Sequence, residues 1–465
     1  MEPDANQSAL SHLTRWVNSH PARAGAVAGW LQQAVSLLVA ILLIPVVTRY
    51  LSAEEAGIWF AFQSLMAALS IVDMGFGFAI SRQVAFAMGG GVARATTAED
   101  DFIHLAEGGH ALKQLNVVVK VLYFRIAFVA AVIACALFEV IAHFGNLIPL
   151  VTLEIRICWY ILAFSTVVSI KAAGQIAFVN GMGLVYQTRV LTACQLALAG
   201  IGAAISAAAG LGLAWMALSF AVSSLAYLVA TTVVLRRLVP PLGQRLNPDF
   251  KKDLVKKLSR VALPIGGVNV FGFFVYGVQA PLLGFLLGPS QVAPFYLAQK
   301  IASACTMFTM HMALPRLPLF TRMLGENKAT EAAGMMLRTI KQVSFVAGTL
   351  AMLFYFSSPA LARVLLNAEQ FVNNSTLLFM AIDMVLLTFT VTWGYFVLAS
   401  GRNPFVVSTI LTGLTSILLS LWFAPQIGIV GLPLATIFAG LIFNYRVNLM
   451  EGIRTLANLS NQSSR

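Results

Sequence analysis

The sequence predicts an all-α polytopic membrane protein of about twelve transmembrane helices in two six-helix bundles. Three observations predict it. Mean hydropathy is +0.83, with 59% hydrophobic and only 10% charged residues, a balance no soluble domain of this length sustains. The apolar residues form runs that can cross a hydrocarbon core of ~30 Å, which takes about 20 residues of helix. None of the runs alternates with the period of two of a barrel strand, so the backbone must bond within helices.

The runs lie at 25–48, 56–80, 117–142, 157–179, 187–209, 212–235, 262–287, 291–314, 340–357, 374–399, 404–424 and 428–447. The polar first 20 residues and the length of the first run predict no cleavable signal peptide. An even number of spans puts both termini on one side. If that side is the cytoplasm, inner segments hold 23 of the 30 Lys and Arg and outer loops three, Arg49, Arg156 and Arg363. Such a bias predicts N-in and C-in. It also accounts for the net charge of +12 without nucleic acid as a partner.

The expected domains are a cytoplasmic segment 1–24, a bundle 25–235, a basic linker 236–261, a second bundle 262–447 and a cytoplasmic tail 448–465. In the linker, Phe250, Leu254 and Leu258 are four apart, with lysines on the other face. This predicts either an amphipathic helix on anionic lipid or a solvated connector. The segment 321–341 has the same character.

Four cations, Lys120, Arg125, Lys171 and Lys300, fall inside the runs beyond the three residues at either end. A Lys or Arg at the centre of a span costs roughly 2.5–3.5 kcal/mol, so each needs a partner, water or an anionic ligand. Lys120 lies about one turn inside its run and can snorkel. Arg125, Lys171 and Asp73 come to similar depth on three different spans. Either Asp73 pairs with Arg125 or Lys171 and fixes the bundle, or the excess cations line a cavity open to an anionic headgroup. Lys300 and Asp383 pose the same alternative in the second half, pairing with each other or flanking an exit. Cys135, Cys158, Cys194 and Cys305 have no metal or redox spacing, and the six histidines form no ligand motif. No catalytic constellation or phosphate-binding glycine loop occurs, so no enzyme and no cofactor are expected.

The halves also look related. Leu51–Gln63 and Leu287–Gln299 each have a small or turn-forming break after Leu, then two aromatics and a Gln at matching offsets. With an even number of spans per half, this predicts a parallel repeat about an axis along the membrane normal.

The segment Tyr50-Leu51-Ser52-Ala53-Glu54-Glu55-Ala56-Gly57-Ile58-Trp59 resembles the turn after span one of bacterial polysaccharide flippases. There Ser52 stands for their usual glycine and Ala56 for their tyrosine. Asp73-Met74-Gly75-Phe76-Gly77, with Ser81-Arg82, resembles their ending to span two, and Leu314-Pro315-Arg316-Leu317-Pro318-Leu319-Phe320 their exit from span eight. The loop Met88–Glu107 is long and rich in Gly, Ala and acids. Taken in order, these motifs resemble the polysaccharide-transporter branch of the MOP exporter superfamily, the Wzx-type lipid-linked oligosaccharide flippases. The resemblance implies a MATE-like fold in a bacterial inner membrane. It implies outward flipping of a polyprenyl-pyrophosphate-linked oligosaccharide by alternating access, with polysaccharide-assembly proteins and membrane lipids as partners. Arg125, Lys171, Lys300 and Lys120 would then meet the pyrophosphate, and Asp73 and Asp383 would be charge partners or gating groups. Energy would come from a proton or sodium gradient or from consumption of the substrate. The alternatives are a cation-coupled multidrug exporter of the same fold, which an excess of Lys and Arg in the lumen would disfavour, and a membrane scaffold or glycosyltransferase partner. Reporter fusions at Asn247 and Lys328 should give a cytoplasmic signal and one at Asn374 an external signal; a cytoplasmic signal at Asn374 would overturn the topology.

Overall fold

A computed structural model describes residues 21–73, 75–88, 109–144, 152–239, 248–313, 316–317, 320, 323–324, 328–366, 372–400 and 402–463. Among these residues every regular element is helical. The helices are α1 (Pro21–Tyr50), α2 (Ala53–Ser70), α3 (Phe76–Met88), α4 (Gly109–Phe144), α5 (Leu153–Gly181), α6 (Val185–Ala208), α7 (Leu213–Leu238) and α8 (Pro248–Tyr276). They continue with α9 (Gln279–Leu287), α10 (Val292–Ala313), α11 (Ala329–Leu366), α12 (Asn374–Ala399), α13 (Val406–Ile427), α14 (Gly431–Ala439) and α15 (Tyr445–Ser463).

Every predicted run falls on helical residues, although the runs 56–80, 262–287 and 428–447 are each divided among more than one element. Nine described stretches are long and apolar enough to cross a membrane, or ten if the bent pair α8–α9 is one span. One of the nine, Val406–Ser460, contains both α13 and α14, which pack on each other, and α10, which carries Gln299 and Lys300, is not among them. The count by length and composition therefore stops short of twelve. The loop after Met88, residues 240–247 of the linker, Leu314-Pro315 and the first 20 residues lie outside the described residues.

The helix ends follow from local chemistry. Ser52 and Glu55 form a reciprocal capping box at α2: the Ser52 hydroxyl accepts from the Glu55 amide at 3.2 Å, and the Glu55 carboxylate accepts from the Ser52 amide at 2.9 Å. Serine thus starts the helix where the resembling family has glycine. Thr152 caps α5, and Asn373 caps α12 by accepting from the Thr376 amide at 2.9 Å. Span two is broken by a 3-10 turn, Ile71–Asp73, before α3. Gly75 has φ +76, a left-handed conformation that glycine adopts without penalty, and the Asp73 carboxylate accepts from the Gly77 amide at 3.2 Å. The spacing of Asp73, Gly75 and Gly77 therefore encodes a helix restart.

The chain divides into two compact units, Met1–Leu43 with Leu69–Phe138 and Thr152–Gly266, and Ile44–Ala68 with Glu139–Val151 and Gly267–Arg465. The first unit has a core of α3, α4, α5 and the end of α7, including Ile80, Val84, Leu115, Phe178 and Leu235. Leu254 and Leu258 belong to this core. The amphipathic segment of the linker is thus the first part of α8, and those leucines are covered by protein rather than lying on lipid. The reason is continuity: α8 runs unbroken to Tyr276, so its start must follow the bundle. Helices α5 and α7 approach through small and hydroxyl residues. Ser224 meets Ser165 at 2.8 Å and Ser169 at 3.0 Å, and Gln175 accepts from Thr231 at 2.7 Å.

In the second unit the two related segments meet each other. Phe60 stacks on Tyr296 with ring centroids 4.9 Å apart and planes at 20°, and these residues hold the same place in the two motifs. Their neighbours Trp59 and Phe295 are both fully buried. Gly57 abuts the Pro289 carbonyl: a Cβ there would lie 2.5 Å from the carbonyl carbon. A second core closes one end of α11, α12 and α15 with Phe320, Met336, Trp393, Phe396 and Leu459. Overpacking of a tight contact costs about 1–3 kcal/mol. Gly57→Ala should accordingly lower the thermal unfolding midpoint of the detergent-solubilised protein. Gly29→Ala, where an added Cβ meets nothing within 4 Å, should leave it unchanged.

Candidate functional site

The first unit contains a pocket of about 510 Å³ that carries several polar side chains. Its lining includes Asp73 from the break in span two, Tyr123 from α4, Asn180 from α5, Gln195 from α6 and Tyr227 from α7. The Tyr123 hydroxyl donates to the Asp73 carboxylate, and the Gly77 amide is its second donor. Gly174 makes room for the phenol ring, since a Cβ at that position would lie 2.5 Å from Tyr123 Cγ. Tyr227 bonds Thr192 at 2.9 Å, and Gln195 reaches Ser169 at 3.2 Å. The pocket thus sets hydroxyls and amides beside one carboxylate, with Ile170, Ala173, Ile176 and Ala177 completing the wall, and among the described residues no basic side chain lines it.

The cations lie elsewhere. Lys120, Lys171 and Arg236 line a groove of about 410 Å³ on α4, α5 and α7, with Phe124, Gln175, Leu228 and Thr232. Among the described residues no carboxylate forms an ion pair with any of the three. The anticipated pairing of Asp73 with Arg125 or Lys171 therefore does not occur among the described residues: Tyr123 and Gly77 hold the acid. Helical phase separates the groups. On α5, Ile170, Ala173 and Ala177 face the Asp73 pocket while Lys171 and Gln175 face the groove. Successive residues are about 100° apart, so equal depth does not mean equal direction. Arg125 lines neither cavity; it is exposed on α4 beside the exposed apolar Phe128, Val129 and Val132.

In the second unit Asp383 on α12 is buried and accepts from the Tyr445 hydroxyl at 2.6 Å. Tyr445 meets the hydroxyl of Tyr276 at 3.1 Å. The network continues at the bend of 41° between α8 and α9. There Gln299 donates to the Tyr276 carbonyl at 2.8 Å and to Gln279 at 3.0 Å, and Gln279 donates to Thr436 at 2.6 Å. A π-helical turn, Gly440–Asn444, precedes Tyr445, and a Cβ at Gly440 would lie 2.5 Å from its ring. Lys300 does not join this network. It is exposed, with its ammonium 4.9 Å from the centre of the Tyr296 ring. Asp383 and Lys300 thus have separate partners.

Arg236 was counted with the linker by sequence reasoning, although it sits four residues from Thr232 on the same helix and completes the cationic groove. Tyr123, Tyr276 and Tyr445 were passed over. Their signal in the sequence is a phenol inside an otherwise apolar run, which needs a hydrogen-bond partner when buried.

A family model described as polysaccharide biosynthesis protein matches residues 23–324. The chain belongs to that family. None of the curated proteins matches the sequence at a significant level. Among solved structures, the inward-facing conformation of a multidrug resistance MATE family transporter of the MOP superfamily is similar with a TM-score of 0.70 and 14% identity, covering 93% of this chain and 99% of that one. The outward-facing conformation of a MATE family transporter has a TM-score of 0.60 at 15% identity, covering 95% and 97%. A MOP superfamily transporter from Pyrococcus furiosus Vc1, described as having a binding pocket of reverse polarity and a different function, has a TM-score of 0.60 at 16% identity with the same coverage. The fold is the one these solved MATE family and MOP superfamily transporters share.

Removing the Tyr445 hydroxyl strips a donor from a buried carboxylate, which costs about 1–3 kcal/mol for the group left unsatisfied. Tyr445→Phe should lower the unfolding midpoint of the purified protein more than Tyr395→Phe does. Equal midpoints would show that Asp383 does not depend on this bond.

Proposed function

We propose that the protein flips a polyprenyl-pyrophosphate-linked oligosaccharide outward across the bacterial inner membrane by alternating access, with both termini in the cytoplasm. The observation that carries this reading is the cluster of Lys120, Lys171 and Arg236, three cations with no acid among the described residues, in a member of a polysaccharide biosynthesis family. Neutral sugars do not call for three cations; a pyrophosphate does. Arg236 offers a planar fork to phosphate oxygens and the two lysines act as point charges, both strengthened where water is scarce. The Asp383 network at the bent α8–α9 pair is where a proton or sodium ion would couple to movement, because a buried carboxylate with only hydroxyl and amide neighbours can take up a cation. Polysaccharide-assembly proteins would supply and consume the lipid-linked unit.

One observation favours a second reading, export of lipophilic cations. The Asp73 pocket of the first unit carries two tyrosines and, among the described residues, no basic side chain, a lining that suits a positively charged aromatic guest. The objection that a cationic lumen repels such compounds does not apply to this pocket.

The two readings separate in proteoliposomes. With a fluorescent lipid-linked oligosaccharide, Lys171→Ala and Arg236→Ala should each lower flipping about tenfold or more, the scale of a lost charge-assisted hydrogen bond of ~1.5–3 kcal/mol. Arg236→Lys should retain part of the activity. Arg125→Ala, outside the groove, should have a small effect. If flipping is absent from the unmodified protein while efflux of a lipophilic cation depends on Asp73, the exporter reading replaces the flippase.

A further inference from the structure

The Asp73 pocket holds hydrogen-bonding capacity that the chain leaves open. Asn180 accepts from the Thr188 hydroxyl at 2.5 Å through Oδ1, and among the described residues its Nδ2 has no partner. Gln195 is the reverse: Nε2 donates to Ser169 at 3.2 Å and to Ser224 at 3.3 Å, and among the described residues Oε1 has no partner. Both amides are half-buried at the pocket wall. Asp73 accepts one bond on each oxygen, from Tyr123 and from the Gly77 amide, whereas a carboxylate has about four lone-pair sites. The Thr192 hydroxyl donates to the Thr188 carbonyl, so Tyr227 is the donor in its bond to Thr192 and keeps a lone pair open. These groups reach one cavity from the turn Ile71–Asp73, α5, α6 and α7.

The open groups are of both kinds, and this selects the ligand. A metal ion or a lipophilic cation uses acceptors only and leaves the Asn180 N–H donors unmet. A phosphate or a carboxylate uses donors only and would lie against Asp73, a like charge. Neighbouring sugar hydroxyls match the set, because each of them both donates and accepts. The remainder of the wall suits the C–H face of a sugar ring, since Ile170, Ala173, Ile176 and Ala177 are apolar. The volume of about 510 Å³ falls in the range of ~300–1,000 Å³ for small-molecule sites, which likewise combine apolar walls with a few placed polar groups.

We infer that the Asp73 pocket is a charge-selective sugar site: it holds an uncharged sugar through Asp73, Asn180 and Gln195 and rejects one that carries a carboxylate. The site is separate from the cationic groove on the other face of α5. It rests on the flippase reading only for the source of the sugar.

The test is saturation-transfer NMR on the full chain in nanodiscs with two matched pairs of probes, methyl glucoside with methyl glucuronide and methyl galactoside with methyl galacturonide. At least one uncharged glycoside should bind, and its acid partner should bind about tenfold more weakly or worse, as a like charge beside Asp73 requires. Asn180→Ala and Gln195→Ala should each weaken the uncharged glycoside about fivefold, the scale of one hydrogen bond. Arg125→Ala, outside the pocket, should leave it unchanged. Asp73→Asn should bring the acid partner up towards the uncharged one; if that variant does not fold, the matched pairs on the unmodified protein decide. Acids that bind as well as their uncharged partners would overturn the inference, as would binding indifferent to both amide variants. So would Asp73-dependent binding of tetraphenylphosphonium with no glycoside bound, which would give the pocket to cations. Flipping of a lipid-linked oligosaccharide is measured separately in proteoliposomes. Flipping with no glycoside bound removes the sugar site alone, whereas glycoside binding without flipping removes the flippase reading and leaves the site.

Discussion

An acid inside a hydrocarbon layer must be given donors, and here Asp73 and Asp383 receive them from tyrosines. Asp73 is held by Tyr123 and the Gly77 amide, and Asp383 by Tyr445. Much of the surrounding architecture serves these bonds. The break in span two frees the Gly77 amide, Gly174 clears a place for one phenol ring, and the π-helical turn with Gly440 sets the position of the other. Because phenols hold Asp73 and Asp383, Lys171 and Lys300 do not have to. The cations stand apart on a different face, and their cost in a membrane falls to something that comes from outside the chain.

The fold was largely legible because a bilayer enforces a strict length rule. Every apolar run became helical, three of them in more than one piece, and the glycines and acid of span two marked a break that local hydrogen bonding explains. The same rule made depth legible, since residues can be counted at a fixed rise. Azimuth was not legible. Arg125 and Lys171 were placed together on depth alone, yet Arg125 lies on an exposed apolar stripe and Lys171 shares a groove with Lys120 and Arg236. Which way a side chain points depends on how neighbouring helices are rotated, and an all-round apolar sequence carries little of that information. The amphipathic start of α8 shows the complementary limit: its apolar face was correctly expected, but the pattern does not say whether lipid or protein covers it. Tyr445 was hidden for another reason, because the extra residue of a π turn leaves no mark in the sequence.

Two chemically different cavities result. The first unit offers a pocket around Asp73 and a cationic groove separated by the thickness of α5. The two charges are kept apart because one helix presents Ala173 and Ala177 to one side and Lys171 with Gln175 to the other.

The stacking of Phe60 on Tyr296 has a consequence for how such a chain varies. Residues at equivalent places in two copies of a motif touch each other only where an axis of symmetry passes between them. In an assembly of identical subunits, a mutation at such a point would be felt twice at once, and a bulky change on one side would always meet the same change on the other. Joined in a single polypeptide, the two positions are inherited separately. One can keep a plain benzene ring while the other gains a hydroxyl, and the contact survives each step. A symmetric seam thereby becomes a place where the halves of one protein can drift apart in character while still fitting together.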